Sequence, residues 1–122
     1  MASSEISVVT PSLRSLGNIV TGSDHQTEAV IQAGGLPTFA ALLQHSKMNI
    51  VKEAAWTLSN ITAGTPEQIQ SVIDSGCLGP LVEVLAHGDF KAKKEAAWAI
   101  TNLTSGMNFE AILISTALIF PF

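Results

Sequence analysis

The chain has 122 residues, ten acidic against six basic for a net charge near −4, and is 47% hydrophobic but only 13% charged. That length holds one domain or a few repeats; the acidic balance argues against nucleic acid, whose phosphates need clustered Lys and Arg, and a charged fraction about half the globular norm of roughly 25% means that many side chains press against a neighbour. The one cysteine, Cys77, cannot form an intramolecular disulfide, Met1 opens no secretory signal, and the uncharged run from Ala111 to Phe122 holds 12 residues including Pro121, too few for the ~20 apolar residues of a membrane span.

From the N-terminus, Leu13 to Gly22 (LRSLGNIVTG) is the first stretch with counterparts further on. It aligns with AWTLSNITAG and AWAITNLTSG, which puts Asn18, Asn60 and Asn102 in one phase at intervals of 42 residues. Ser23 to Gly64 aligns with Thr65 to Gly106 at the same spacing, with 15 identities in 42 positions, concentrated in KEAAW, Lys52 to Trp56 and Lys94 to Trp98. The chain therefore divides into the end of a preceding repeat (1–22), two whole repeats (23–64 and 65–106) and a divergent apolar tail (107–122), expected to act as a capping helix. A period of about 40 to 47 residues is the range of helical arrays whose units bury their apolar faces against one another.

Within each repeat the punctuation predicts three helices. Ser23-Asp24-His25-Gln26 and Thr65-Pro66-Glu67-Gln68 place a hydroxyl three residues before a Gln, the capping-box spacing, with Pro66 where its missing N–H costs nothing. Gly34 and Gly76 end these first helices in the left-handed conformation. Second helices are expected over Pro37 to Gln44 and Pro80 to Ala86, with Leu42, Leu43, Val84 and Leu85 facing inward. Third helices are expected over Ile50 to Ala63 and Phe90 to Ser105, closing at Gly64 and Gly106. No segment alternates apolar and polar residues as a strand would. Three helices per 42-residue unit predict an all-α, armadillo-repeat right-handed solenoid rather than a two-helix HEAT array.

The third helices carry a repeated line. Glu53, Trp56 and Asn60 share one helix face, Glu95, Trp98 and Asn102 repeat it one rung later, and Arg14 with Asn18 makes an altered rung before both. Packed helices lie roughly 8 to 10 Å apart and an extended chain advances about 3.3 Å per residue, so each rung meets a bound peptide about every three residues. Neighbouring indoles would hold the aliphatic stem of a Lys or Arg and attract its cation, the Asn amides would clamp the peptide backbone, and the Glu carboxylates would supply counter-charge. A structural ladder of Asn between third helices, and Glu paired to neighbouring lysines, are the competing readings; Arg14 salt-bridged within the groove would weaken its rung for a cation.

These segments, VVTPSLRSLGNIVTG, KEAAWTLSNITAG and DFKAKKEAAWAITNLTSG, resemble the importin-α (karyopherin-α) family over about Glu5 to Gly106. The resemblance implies an armadillo adaptor of nuclear import, shared between cytoplasm and nucleus. Its inner groove would bind basic nuclear localisation signals in extended form, here through the repeats that resemble the sixth to eighth. It carries Trp56, Asn60, Trp98, Asn102 and Asn18 over as motif positions, Glu53 and Glu95 as acidic positions, Ser59 and Thr21 as neighbouring polar groove positions, and Arg14 as the altered rung of the sixth repeat. Nothing corresponds to the basic arm that recruits importin-β, and MNFEAILISTALIFPF departs from the family pattern in the manner of a truncated or alternatively spliced end. The alternative is an armadillo scaffold, or an unstable truncation product, that binds no cargo on its own.

Other motifs point elsewhere only faintly. Asn60-Ile61-Thr62 and Asn102-Leu103-Thr104 fit the glycosylation sequon, but Asn18 recurs in phase without the Thr. His25, His45 and His87 lack i,i+4 ligand spacing, so no metal is expected; Cys77 has no CxxC partner or evident base. Lys91, Lys93 and Lys94 read as a solvated helix face, and no Gly-rich phosphate loop is present. The sequence predicts no enzyme, no cofactor, no nucleic-acid partner and no membrane partner.

Overall fold

The computed structural model describes residues 6–106, with side chains from Pro11 to Ser105. Seven helices follow in order among these residues: α1 (Ile6–Val20), α2 (Asp24–Gln32), α3 (Gly35–Leu42), α4 (Met48–Thr62), α5 (Pro66–Asp74), α6 (Leu78–His87) and α7 (Phe90–Gly106), with no strand. The tail 107–122 and its reading as a capping helix lie outside the described residues.

Local chemistry fixes the short first helices. The Ser23 hydroxyl accepts from the Gln26 backbone N–H at 3.2 Å and the Gln26 carboxamide accepts from the Ser23 N–H at 3.0 Å; Thr65 and Gln68 repeat the box at 3.2 and 3.1 Å. The returning Gln occupies the space where a Cβ on Gly22 or Gly64 would stand, so glycine before each cap makes room for it. Gly34 and Gly76, both at φ +80°, turn the chain out of α2 and α5 in the left-handed region that favours glycine.

Some boundaries and orientations differ from expectation. α3 and α6 start at Gly35 and Leu78 rather than at Pro37 and Pro80, because a proline in the first turn removes only an N–H that has no intrahelical partner. α3 ends at Leu42, and His45 lies beyond it, accepting from the Lys47 N–H through Nδ1 at 3.0 Å. Leu85 does not face inward: it is 41% exposed, whereas Leu43, its counterpart one repeat earlier, is 4% exposed. Among the described residues no helix follows α7 to close over Leu85.

α1, α4 and α7 stand side by side, α4 packed against both, with α6 against α7 and α2 against α5. Buried alanines, Ala54, Ala55, Ala96 and Ala99, let the third helices approach closely, while Leu13, Phe39, Ile50, Leu58, Ile61, Leu81 and Leu103 fill the core. Polar ties also cross between repeats. The Gln68 carboxamide donates to the Asp24 carbonyl at 2.8 Å, and the Cys77 thiol donates to the Leu36 carbonyl at 3.5 Å.

Candidate functional site

The row of third helices brings the expected rungs together on adjacent elements. Trp56 is half-buried, its ring lying against Gly17 of α1 so closely that a Cβ there would overlap it. Glycine at that point of α1 is thus what seats the indole. Trp98 has no following helix over it among the described residues and is 57% exposed. Both indoles therefore keep exposed surface, one seated and one open.

Charge is distributed unevenly along the row. The Glu53 side chain is buried and accepts from Arg14 Nη2 at 2.9 Å, with Lys52 Nζ at 3.4 Å, so this carboxylate is already neutralised by the chain itself. Half-buried Glu95 makes no ion pair among the described residues. Arg14, Lys52, Glu53, Trp56 and Glu95 together line a hollow of about 210 Å³. A cation entering it meets Glu95 as the uncommitted carboxylate and the Trp56 ring as a wall.

The three in-phase asparagines have three different environments. Asn102 donates from Nδ2 to the Ser59 carbonyl at 3.0 Å, tying α7 to α4, and Thr62 donates to the same carbonyl at 3.0 Å. The Nδ2 of Asn60 is occluded from water and has no hydrogen-bond partner; its side chain borders a hollow of about 220 Å³ with Val20, Thr21 and Gly22. A buried donor without a partner costs about 1 to 3 kcal/mol. Asn18 is exposed at the end of α1, with its own carbonyl taken by the Thr21 hydroxyl at 2.6 Å. Ser59 is buried and donates to the Trp56 carbonyl at 2.6 Å, a bond within its own helix.

Gly17 and Lys52 are the site residues the sequence reading missed. The signal for Gly17 was present: it aligns with Ser59 and Thr101, small residues one position before each in-phase Asn. Away from the row, Cys77 is buried, and burial pushes its thiol above the ordinary value despite a hydrogen bond with Ser75 that lowers it. Among the described residues no group of three or more His, Cys, Asp or Glu is placed to hold a metal ion. Nor is any single helix among them long and apolar enough to cross a membrane; α5 and α6 pass such a test only as a pair bent by 79°.

Comparison with known proteins gives four findings. Residues 23–63 and 65–105 match the family described as Armadillo/beta-catenin-like repeat. Importin subunit alpha-7 of Arabidopsis thaliana is 52% identical over 40 residues, 33% of this chain and 8% of that protein. A designed armadillo repeat protein in complex with the peptide (KR)4 superposes with a TM-score of 0.86 at 36% identity over 91% of this chain and 46% of its own. Computationally designed armadillo repeat proteins for modular peptide recognition superpose with a TM-score of 0.88 at 33% identity, over 96% of this chain and 50% of theirs. The chain thus spans about half the length of these solved relatives and a small part of the curated one.

Proposed function

The chain belongs to the armadillo/β-catenin-like repeat family, and from that premise we propose that it binds an extended peptide along the row formed by α1, α4 and α7, with a preference for Lys and Arg side chains. The observation that carries this reading is the recurrence of Trp and Asn four residues apart on two packed helices, with Trp56 and Glu95, a carboxylate without an ion pair among the described residues, lining one hollow. Trp56 and Trp98 flank the stem of a basic side chain, Glu95 balances its charge, and the Asn60 carboxamide, once turned out of its occluded position into the hollow it borders, donates to the peptide backbone. Asn102 contributes its remaining carbonyl oxygen as an acceptor for a peptide N–H. The partial match to an importin subunit and the (KR)4 ligand of a designed relative support basic nuclear localisation signals as the peptide class, and hence a protein shared by cytoplasm and nucleus. No step of bond making or breaking is assigned to any residue.

The test is fluorescence anisotropy with a labelled (KR)4 peptide and a Gly-Ser peptide of equal length. Wild type is expected to bind (KR)4 selectively, and Trp98→Ala combined with Asn60→Ala is expected to weaken it by about tenfold or more, the size of one lost anchor. Equal binding by the wild type and the double variant would end the reading. A second reading, a scaffold that stacks on other repeats without taking a peptide, is favoured by two contacts: Arg14 occupies Glu53, and Asn102 ties α7 to α4. No measurable affinity for (KR)4 in a folded wild type is its expected result.

A further inference from the structure

Three of the chain's six basic residues, Lys52, Lys91 and Lys94, line one hollow of about 280 Å³ together with Phe90 and Glu95. Phe90 is 82% exposed, and Met48, its counterpart one repeat earlier, is still 38% exposed with α5, α6 and α7 following it. The position therefore faces solvent in both units. Lys91 and Lys94 are exposed and make no ion pair among the described residues, whereas Lys52 is half-buried with its Nζ 3.4 Å from Glu53. In a chain of net charge near −4, this hollow thus gathers three ammonium groups around an aromatic ring against one carboxylate. Asp89, the neighbouring acid, is engaged in capping α7: its Oδ1 accepts from the Ala92 N–H at 2.9 Å.

We infer that this hollow is a docking site for a short acidic segment of a partner protein, one that sets an apolar side chain beside its carboxylates. The carboxylates pair with the Lys91 and Lys94 ammonium groups, and the apolar side chain lies on the Phe90 ring and the aliphatic stems of the lysines. Phe90 and Lys91 precede Trp98 by eight and seven residues, about 10 to 12 Å along the helix axis. The hollow therefore lies off the track of a strand that crosses α4 and α7 at the indoles. Its occupant is a different segment, and the inference stands whether or not the row of Trp and Asn takes a basic peptide. Glu95 borders both hollows, so a cation seated against it leaves this one more positive, and the two occupants do not compete. Nucleic acid fits less well, because its regularly spaced phosphates would run from three lysines onto Glu53, Glu95 and the rest of an acidic chain.

The experiment is a nuclear magnetic resonance titration of the full isotope-labelled chain at low salt with two peptides, Ac-ELEFEE-amide and its neutral counterpart Ac-QLQFQQ-amide. The acidic peptide is expected to move the amide signals of residues 90–95 and of Lys52, and to bind at least about fivefold more tightly than the neutral one, an advantage that about 0.5 M salt removes. Lys91→Gln with Lys94→Gln, both at exposed positions, is expected to erase the advantage, and Phe90→Ala to weaken the acidic peptide about threefold. Equal affinities for the two peptides overturn the proposal, as does an advantage that survives the double variant or a set of moving signals that lies elsewhere. A thymidine hexanucleotide that binds the same residues more tightly than the acidic peptide would assign the patch to nucleic acid and overturn it as well.

Discussion

α4 and α7 share the sequence KEAAW and the same place in their repeats, yet they are different objects physically. α4 has a third helix on each side, and its Glu53, Ser59 and Thr62 are buried; in α7 the counterpart Glu95 is half-buried and Thr101 and Thr104 are exposed. A repeated residue therefore has no fixed environment of its own: the following unit supplies half of it. The rungs of the candidate site inherit this property. Trp56 is seated by a glycine from the preceding helix, and Asn102 is engaged by a carbonyl from the preceding one.

The largest test of this difference is a matched pair of truncations. Leu58→Ala should cost about 3 kcal/mol in urea unfolding, as expected for a fully buried leucine, while Ile100→Ala, at the half-buried counterpart on α7, should cost about 1 kcal/mol. Equal costs for the two would mean that α4 and α7 are packed alike, against the difference in burial. The seats beneath the two indoles give the next contrast. Gly17→Ala drives a methyl into the Trp56 ring and should cost about 2 kcal/mol with a shift in tryptophan emission. Ser59→Ala, at the equivalent place one helix on, removes a hydroxyl bonded within its own helix and should stay within about 1 kcal/mol.

A smaller difference separates the two asparagines. Asn102→Ala loses the bond to the Ser59 carbonyl and should lower stability by about 1 kcal/mol, whereas Asn60→Ala removes an amide with no partner and should leave the melting curve unchanged or slightly raised. In peptide affinity the order should reverse, with Asn60→Ala the more damaging. Equal effects of both substitutions in both assays would erase the distinction between a tie and a ligand group.

Much of the architecture was legible because its signals are local. Capping boxes at Ser23 and Thr65, left-handed glycines at 34 and 76 and the 42-residue spacing each act over a few residues or recur in register, so the sequence carries them openly. What was not legible depends on contacts across repeats. Leu43 and Leu85 look alike in sequence and differ in burial; Arg14 reaches Glu53 across 39 positions, and Asn102 reaches Ser59 across 43. The presence of Asn, Glu and Trp in phase was readable, but which of them remains free for a ligand is decided by the neighbour each happens to meet.

The Arg14–Glu53 pair is where that last point has the least effect on stability and the clearest meaning for binding. Arg14 is largely exposed, so the pair adds less than about 1 kcal/mol to folding, and Lys52 remains beside the buried carboxylate when the guanidinium is removed. Arg14→Ala should therefore leave the unfolding midpoint nearly unchanged. For a cationic peptide the same substitution removes a like charge from the hollow that Glu53 and Glu95 line, and it should tighten (KR)4 binding about threefold at low salt. The gain should shrink at about 0.5 M salt, where charges more than a few ångströms apart are screened. Weaker binding by Arg14→Ala would mean that Arg14 itself holds the peptide, and the altered rung would then act as a donor to the ligand backbone instead of a barrier to its cations.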